Sequence, residues 1–88
     1  MKDKIRNILR EHGKLAQDAL SLLDEADLYQ AGMTSHASVN VMLALESTFD
    51  IEFPDRMLKR NVFESIRAIE GAVTELVSGL SSKPAGAR

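Results

Sequence analysis

Apolar residues recur with helical spacing in three stretches of the chain, separated by one long interruption and one short one. In the first stretch Ile5, Ile8 and Leu9 stand three and four positions apart, which predicts a helix from Lys2 to about Glu11 with one apolar stripe and a stop at Gly13. The second opens at Thr34-Ser35, where either hydroxyl can cap free backbone N–H groups, and runs to about Phe49. At about 100° per residue, Val39, Met42, Leu45 and Phe49 share one face of it. Ala37, Asn40, Ala44, Ser47 and Thr48 cluster opposite, with His36, Val41 and Leu43 on the flanks. Pro54 ends this helix, and the run from Asp55 to Arg60 leaves room for only a short further one. The third stretch keeps helical period through Ile66, Ile69, Val73, Leu76, Val77 and Leu80. Asn61 and Glu64 have capping-box spacing ahead of it, and Gly71 weakens it by ~1 kcal/mol relative to Ala.

Between the first two helices lies a connection from Lys14 to Thr34, long for a structureless segment in a compact domain. Leu15, Leu20, Leu22, Leu23, Leu28 and Tyr29 are the residues expected to pin it, with a helical turn around Asp24–Leu28. The expectation is an all-α bundle of four helices, three main and one short, with a long first loop. One domain spans 1–80, and the tail 81–88, without an apolar anchor, is expected to be disordered.

Composition narrows the function. At 88 residues the chain is one small domain, and the absence of cysteine excludes disulfides and thiolate metal sites. Four aromatic residues and a net charge of −2 argue against nucleic acid. No apolar run approaches the ~20 residues that span a bilayer, so the chain reads as a cytoplasmic monomer without a membrane role. Charge is nevertheless segregated. Lys2, Lys4, Arg6, Arg10 and Lys14 lead, no Lys or Arg occurs from 15 to 55, and Arg56, Lys59, Arg60 and Arg67 follow. The acids Asp18, Asp24, Glu25, Asp27, Glu46, Asp50, Glu52 and Asp55 occupy the middle. Such a pattern is either an ordinary solvated surface or a docking face with two signs of charge.

Catalytic constellations are nearly absent. Ser35 and His36 are adjacent, but helical neighbours point about 100° apart and rarely meet in a productive hydrogen bond. Asp24-Glu25-Ala26-Asp27 lacks the glycine and the terminal glutamate of a calcium loop. What remains is a serine at the head of a helix, just after a glycine turn.

The segments Gly32-Met33-Thr34-Ser35-His36-Ala37-Ser38-Val39, Met42-Leu43-Ala44-Leu45-Glu46 and Phe49-Asp50-Ile51-Glu52-Phe53-Pro54-Asp55 resemble an acyl carrier protein in order and spacing. The upstream Asp27-Leu28 and Ala31-Gly32 fit that family's lead-in, and the similarity extends over about residues 4–80. The resemblance implies an acyl-carrier-like bundle in which Ser35 receives 4′-phosphopantetheine from coenzyme A through a phosphopantetheinyl transferase. It also implies that the protein itself is a carrier and not an enzyme. Where the family usually has Asp-Ser-Leu, this chain has Thr34-Ser35-His36, and its second helix is neutral where fatty-acid carriers are acidic. Those features look more like the small stand-alone carriers of activated amino acids, which are served by ligases similar to class II aminoacyl-tRNA synthetases. The partner contacts expected on that basis are Thr34, His36, Asn40, Val41, Leu43, Ala44 and Ser47, with Arg56, Met57, Lys59 and Arg60 on the short helix. An acyl carrier for fatty-acid or polyketide synthesis and an unmodified helical adaptor are the competing readings.

Overall fold

In the computed structural model, which describes residues 1–16 and 18–78, three α-helices enclose one core. They are α1 (Lys2–His12), α2 (Ser35–Phe49) and α3 (Ile66–Ser78), and no strand occurs among the described residues. The expected tail 81–88 and Leu80 lie outside the described residues.

Helix α1 buries Ile5, Ile8 and Leu9, the stripe its spacing predicts. Gly13 ends it in an ordinary right-handed conformation (φ −77°), its N–H donating to the Leu9 carbonyl, and Lys14 takes the left-handed one (φ 55°). Glycine is still needed at 13, because a Cβ there would stand 2.7 Å from the Leu9 oxygen.

The long connection is stitched down mainly by hydrogen bonds and small residues. Leu28 is fully buried, and Leu15, Leu22 and Tyr29 pack against the core. Leu20 and Leu23 are exposed, contrary to expectation, and Ala19, Ala31 and Met33 are buried in their stead. Arg6 of α1 donates to the carbonyls of Ala19 and Leu22, both at 2.7 Å, and to the Asp24 carboxylate at 2.6 Å. Lys2 reaches the same carboxylate at 2.7 Å. On the other side the Leu28 N–H donates to the Glu64 carbonyl and the Arg67 N–H to the Asp24 carbonyl. A single turn does form at the start of the expected Asp24–Leu28 stretch, where the Ala26 N–H donates to the Leu23 carbonyl, and a longer one follows at 28–32, where the Asp27 carboxylate accepts from the Tyr29 and Gln30 N–H groups. Gly32 closes that turn at φ +118°, where an added Cβ would sit 3.0 Å from the Ala16 nitrogen.

Helix α2 is rotated partway from the expected face: Leu45 is buried and Met42 and Phe49 pack against the core as expected, but Val39 is 48% exposed and Ala37 and Val41 are buried in its place. Its apolar residues occur on nearly every side, so periodicity could not choose; the inward row has a small residue, Ala37, at its head. Asp50 caps the helix in the left-handed region (φ 55°), and the Glu46 carboxylate accepts the Phe53 N–H at 2.9 Å. This reversal brings Phe53 into the core against Phe63, ring centres 5.3 Å apart.

The short fourth helix is replaced by two separate 3₁₀ turns, Asp55–Met57 and Arg60–Val62, broken at Leu58 and Lys59. The capping-box expectation also gives way. Asn61 lies inside the second turn, and Ser65 caps α3 with its hydroxyl accepting the Ala68 N–H at 3.0 Å. Pairing of Glu64 with Leu28 and burial of Phe63 hold 63–64 outside the helix. Helix α3 then buries Ile66, Ile69, Ala72 and Val73; Val77, expected in the core, is 53% exposed.

Candidate functional site

The head of α2 places Ser35 at the first helical position, where backbone N–H groups lack intrahelical acceptors. Thr34 precedes it as the cap, in extended conformation, and its hydroxyl accepts the Ala37 N–H at 3.0 Å. Ser35 is exposed, and its carbonyl accepts the Ser38 hydroxyl at 2.7 Å. The Ser35 hydroxyl makes no hydrogen bond among the described residues and so is available as an acceptor of a transferred group. The helix start adds a partial positive charge that favours an anion at this position.

Beside Ser35 opens a cleft of about 330 Å³ between α2 and the 3₁₀ segment. Val39, Met42, Leu58 and Phe63 make it apolar, while Ser35 and Ser38 line it from α2. Tyr29 of the long connection, Lys59 and Arg60 complete it, and the Arg60 guanidinium stacks 3.9 Å from the centre of the Tyr29 ring. Among the described residues no carboxylate and no imidazole lines this cleft.

The residues expected to meet partners divide. Thr34, His36, Leu43 and Ser47 are exposed on or beside α2, and Asn40 and Ala44 are half-buried between them. Lys59 and Arg60 are exposed and share the cleft with Ser35. Arg56 is exposed, with a guanidinium nitrogen 3.5 Å from the Glu75 carboxylate. Val41 and Met57 are corrections: they are 0% and 6% exposed, committed to the core, and offer a partner nothing. Tyr29, Val39, Met42, Leu58 and Phe63 are cleft residues that sequence reasoning missed. Leu58 carries the one available signal, an apolar residue within a segment read as surface, whereas Val39 was expected on the inward face of α2.

Away from the site the charge segregation has a structural account. The leading cations Lys2 and Arg6 and the later Arg67 pair with Asp24 and Glu25 of the acidic connection. The hydrogen bond from Lys2, reinforced by Arg6, holds the Asp24 carboxyl below its ordinary value of 3.8, and the same bond raises Lys2 above 10.5. Among the described residues no cluster of three or more His, Asp or Glu is placed to hold a metal, and no helix is long and apolar enough to cross a membrane.

An exposed serine at a helix head, a glycine turn before it and a three-helix core are the frame of a carrier-type domain. The chain belongs to the family of the phosphopantetheine attachment site, whose model matches residues 3–73. Among named relatives it is similar to the aminoacyl carrier protein of Agrobacterium fabrum, 49% identical over 79 residues that cover 90% of this chain and 95% of that one. Among solved structures it is similar to a chain in the crystal structure of an engineered Bradyrhizobium japonicum glycine:[carrier protein] ligase complexed with carrier protein from Agrobacterium tumefaciens and AMP. The TM-score there is 0.82 at 51% identity, covering 84% of this chain and 99% of that one. A chain in the complex of the Bradyrhizobium japonicum ligase with glycylated carrier protein matches at 32% identity and a TM-score of 0.61, over 80% and 97% of the two chains.

Proposed function

We propose that this protein is an aminoacyl carrier. Ser35 is the attachment residue for 4′-phosphopantetheine, and an amino acid:carrier protein ligase resembling class II aminoacyl-tRNA synthetases loads it. The observation that carries the reading is the exposed Ser35 hydroxyl at the first position of α2, without a hydrogen bond among the described residues, within a chain of this family. In forming the phosphodiester, the Ser35 oxygen displaces the nucleotide part of coenzyme A. The helix start favours the resulting anion. The arm supplies the thiol on which an amino acid is held as a thioester, chemistry that a chain without cysteine lacks. In this reading the base that deprotonates Ser35 belongs to the transferase, and the chain serves as substrate and scaffold.

Thr34 orients Ser35 through its cap. His36, Asn40, Leu43, Ala44 and Ser47 form a neutral face for close packing against the ligase, with Lys59 and Arg60 meeting acidic groups at its edge. Intact mass after incubation with coenzyme A and a phosphopantetheinyl transferase tests the assignment. Wild type gains one phosphopantetheinyl group and Ser35→Ala gains none while keeping its helical circular dichroism. Modification that persists in Ser35→Ala, or that moves to Ser38, contradicts it.

A further inference from the structure

Lys14 occupies a backbone position that does not suit its side chain. Gly13 caps α1 in a right-handed conformation, and the chain then turns through one left-handed residue, Lys14, at φ 55°. Helices that end this way usually place glycine or asparagine there, because a Cβ crowds the backbone. The other left-handed residue that is not glycine, among those described, is Asp50, of a type that tolerates the region. A lysine in this conformation costs the fold something, and such strain collects where a side chain has a task.

The surroundings of Lys14 say which task. It is exposed and pairs with no carboxylate among the described residues. Glu11, the nearest acid along the chain, is turned to His12 at 3.9 Å. The Lys14 carbonyl lies 3.6 Å from where a Cβ would stand on Gly32, and the Ala16 N–H donates to the Ala31 carbonyl at 2.7 Å. Lys14 is thereby fastened beside the glycine turn that leads into Ser35, three residues further on and no more than ~11 Å along the chain. It does not line the cleft, so Lys59 and Arg60 approach the serine from one side and Lys14 from the end of α1.

We propose that Lys14 is a donor-binding residue in the attachment reaction: its ammonium meets the 3′-phosphate of the coenzyme A from which Ser35 takes its arm. The proposal rests on Ser35 being the attachment residue. In that step the Ser35 oxygen bonds the phosphorus that carries the pantetheine. The bond from that phosphorus to the bridging oxygen of the diphosphate breaks, 3′,5′-ADP departs with that oxygen, and the serine proton passes to the transferase's base. The new diester sits on Ser35 itself, while the departing nucleotide reaches outward with the rest of the negative charge. A cation on a flexible stem, set back from the serine and outside the cleft, matches that outlying phosphate and not the diester.

The test uses the full-length apo protein and a phosphopantetheinyl transferase that accepts both coenzyme A and 3′-dephospho-coenzyme A, with intact mass as the readout. No mass increase in wild type with either donor removes the attachment reading, and the proposal with it. Where attachment occurs, Lys14→Gly, which suits the left-handed turn, is expected to melt at or above the wild-type temperature. It is nevertheless expected to lose about threefold to fivefold in kcat/KM with coenzyme A, the worth of one exposed charge pair, and added salt narrows that difference. With 3′-dephospho-coenzyme A the two proteins are expected to react alike. The transferase's own preference between donors is common to both proteins and cancels in the ratio. Lys14→Arg keeps the charge and the wild-type rates. Lys4→Gln, which removes a cation over the Phe49 ring at the other end of α2, changes neither rate. A loss of equal size with both donors assigns Lys14 to a contact with the transferase itself, and no loss with either assigns it no contact. Both results overturn the proposal and leave the attachment reading standing.

Discussion

The two sides of this small bundle use charge in opposite ways. On the α1 side, Lys2 and Arg6 converge on Asp24, and Arg6 also satisfies two loop carbonyls, so a connection of some twenty residues is tied to a helix by side chains. On the α2 side, Lys59 and Arg60 pair with no carboxylate among the described residues, and Val39 and Leu58 stand about half exposed in the cleft with Ser35. The first arrangement stabilises the fold at some cost in desolvation. The second leaves two cations and apolar side chains exposed on the surface. Lys2 and Arg6 are thereby drawn into the fold, whereas Lys59 and Arg60 stay on the surface.

Removing the clamp is the strongest way to break the structural side. Arg6 is mostly buried and makes three charge-assisted hydrogen bonds. At ~1.5–3 kcal/mol for such a bond, and with the freed carbonyls partly rehydrated, Arg6→Ala is expected to lose about 2–4 kcal/mol in urea denaturation. Phosphopantetheine attachment to the fraction that remains folded is expected to be unchanged, because the clamp is far along the chain from Ser35. The matching test of the functional side is Ala44→Glu. Its carboxylate enters the packed face and must be desolvated, so ligase affinity in isothermal titration is expected to fall at least tenfold, about 1.4 kcal/mol or more. Arg60→Ala, which loses a single exposed charge, is expected to cost under ~1 kcal/mol and to lessen the salt dependence of binding. Neither change is expected to move the melting temperature appreciably.

Acid sharpens the same contrast. Because the native pairing lowers Asp24, its contribution is fully present above the ordinary carboxyl value of 3.8 and is lost as pH falls through the lower native one. Lys2 is raised, so its share is present below 10.5 and disappears only as pH rises through its higher native value. Asp24→Asn lacks the pairing at every pH. The gap in melting temperature between wild type and this variant is therefore expected to stay level from near-neutral pH down to about 5 and to narrow below the ordinary carboxyl range. The smallest expected effect is at Gly71, exposed on α3 with nothing within 4 Å of an added Cβ. Gly71→Ala is expected to stabilise by about 0.5–1 kcal/mol, with attachment unaffected.

The fold was legible wherever apolar spacing had contrast. Ile5, Ile8 and Leu9 stand out from a charged background, and α1 follows. In α2 the apolar residues surround the axis, so the sequence pointed to Val39 where the structure buries Ala37 and Val41. Asn61 has good capping chemistry, yet Ser65 caps α3 because a loop carbonyl contact at Glu64 and the burial of Phe63 decide where the helix begins. Arg6 was invisible as a clamp, since its main partners are backbone carbonyls that only the folded loop brings near. The serine was legible through the joint spacing of glycine, serine and the downstream Phe-Pro segment. The cleft beside it was not, because Tyr29, Val39 and Leu58 come from three separate segments.

The most direct test of the central claim is a loading reaction on the holo protein with ATP, the ligase and a single amino acid, read by intact mass. The expected result is an added aminoacyl mass on the phosphopantetheine arm that is released by hydroxylamine, as a thioester is, and that is absent from Ser35→Ala. A holo protein that takes no amino acid from such a ligase, yet accepts a fatty acyl group from an acyl donor, contradicts it.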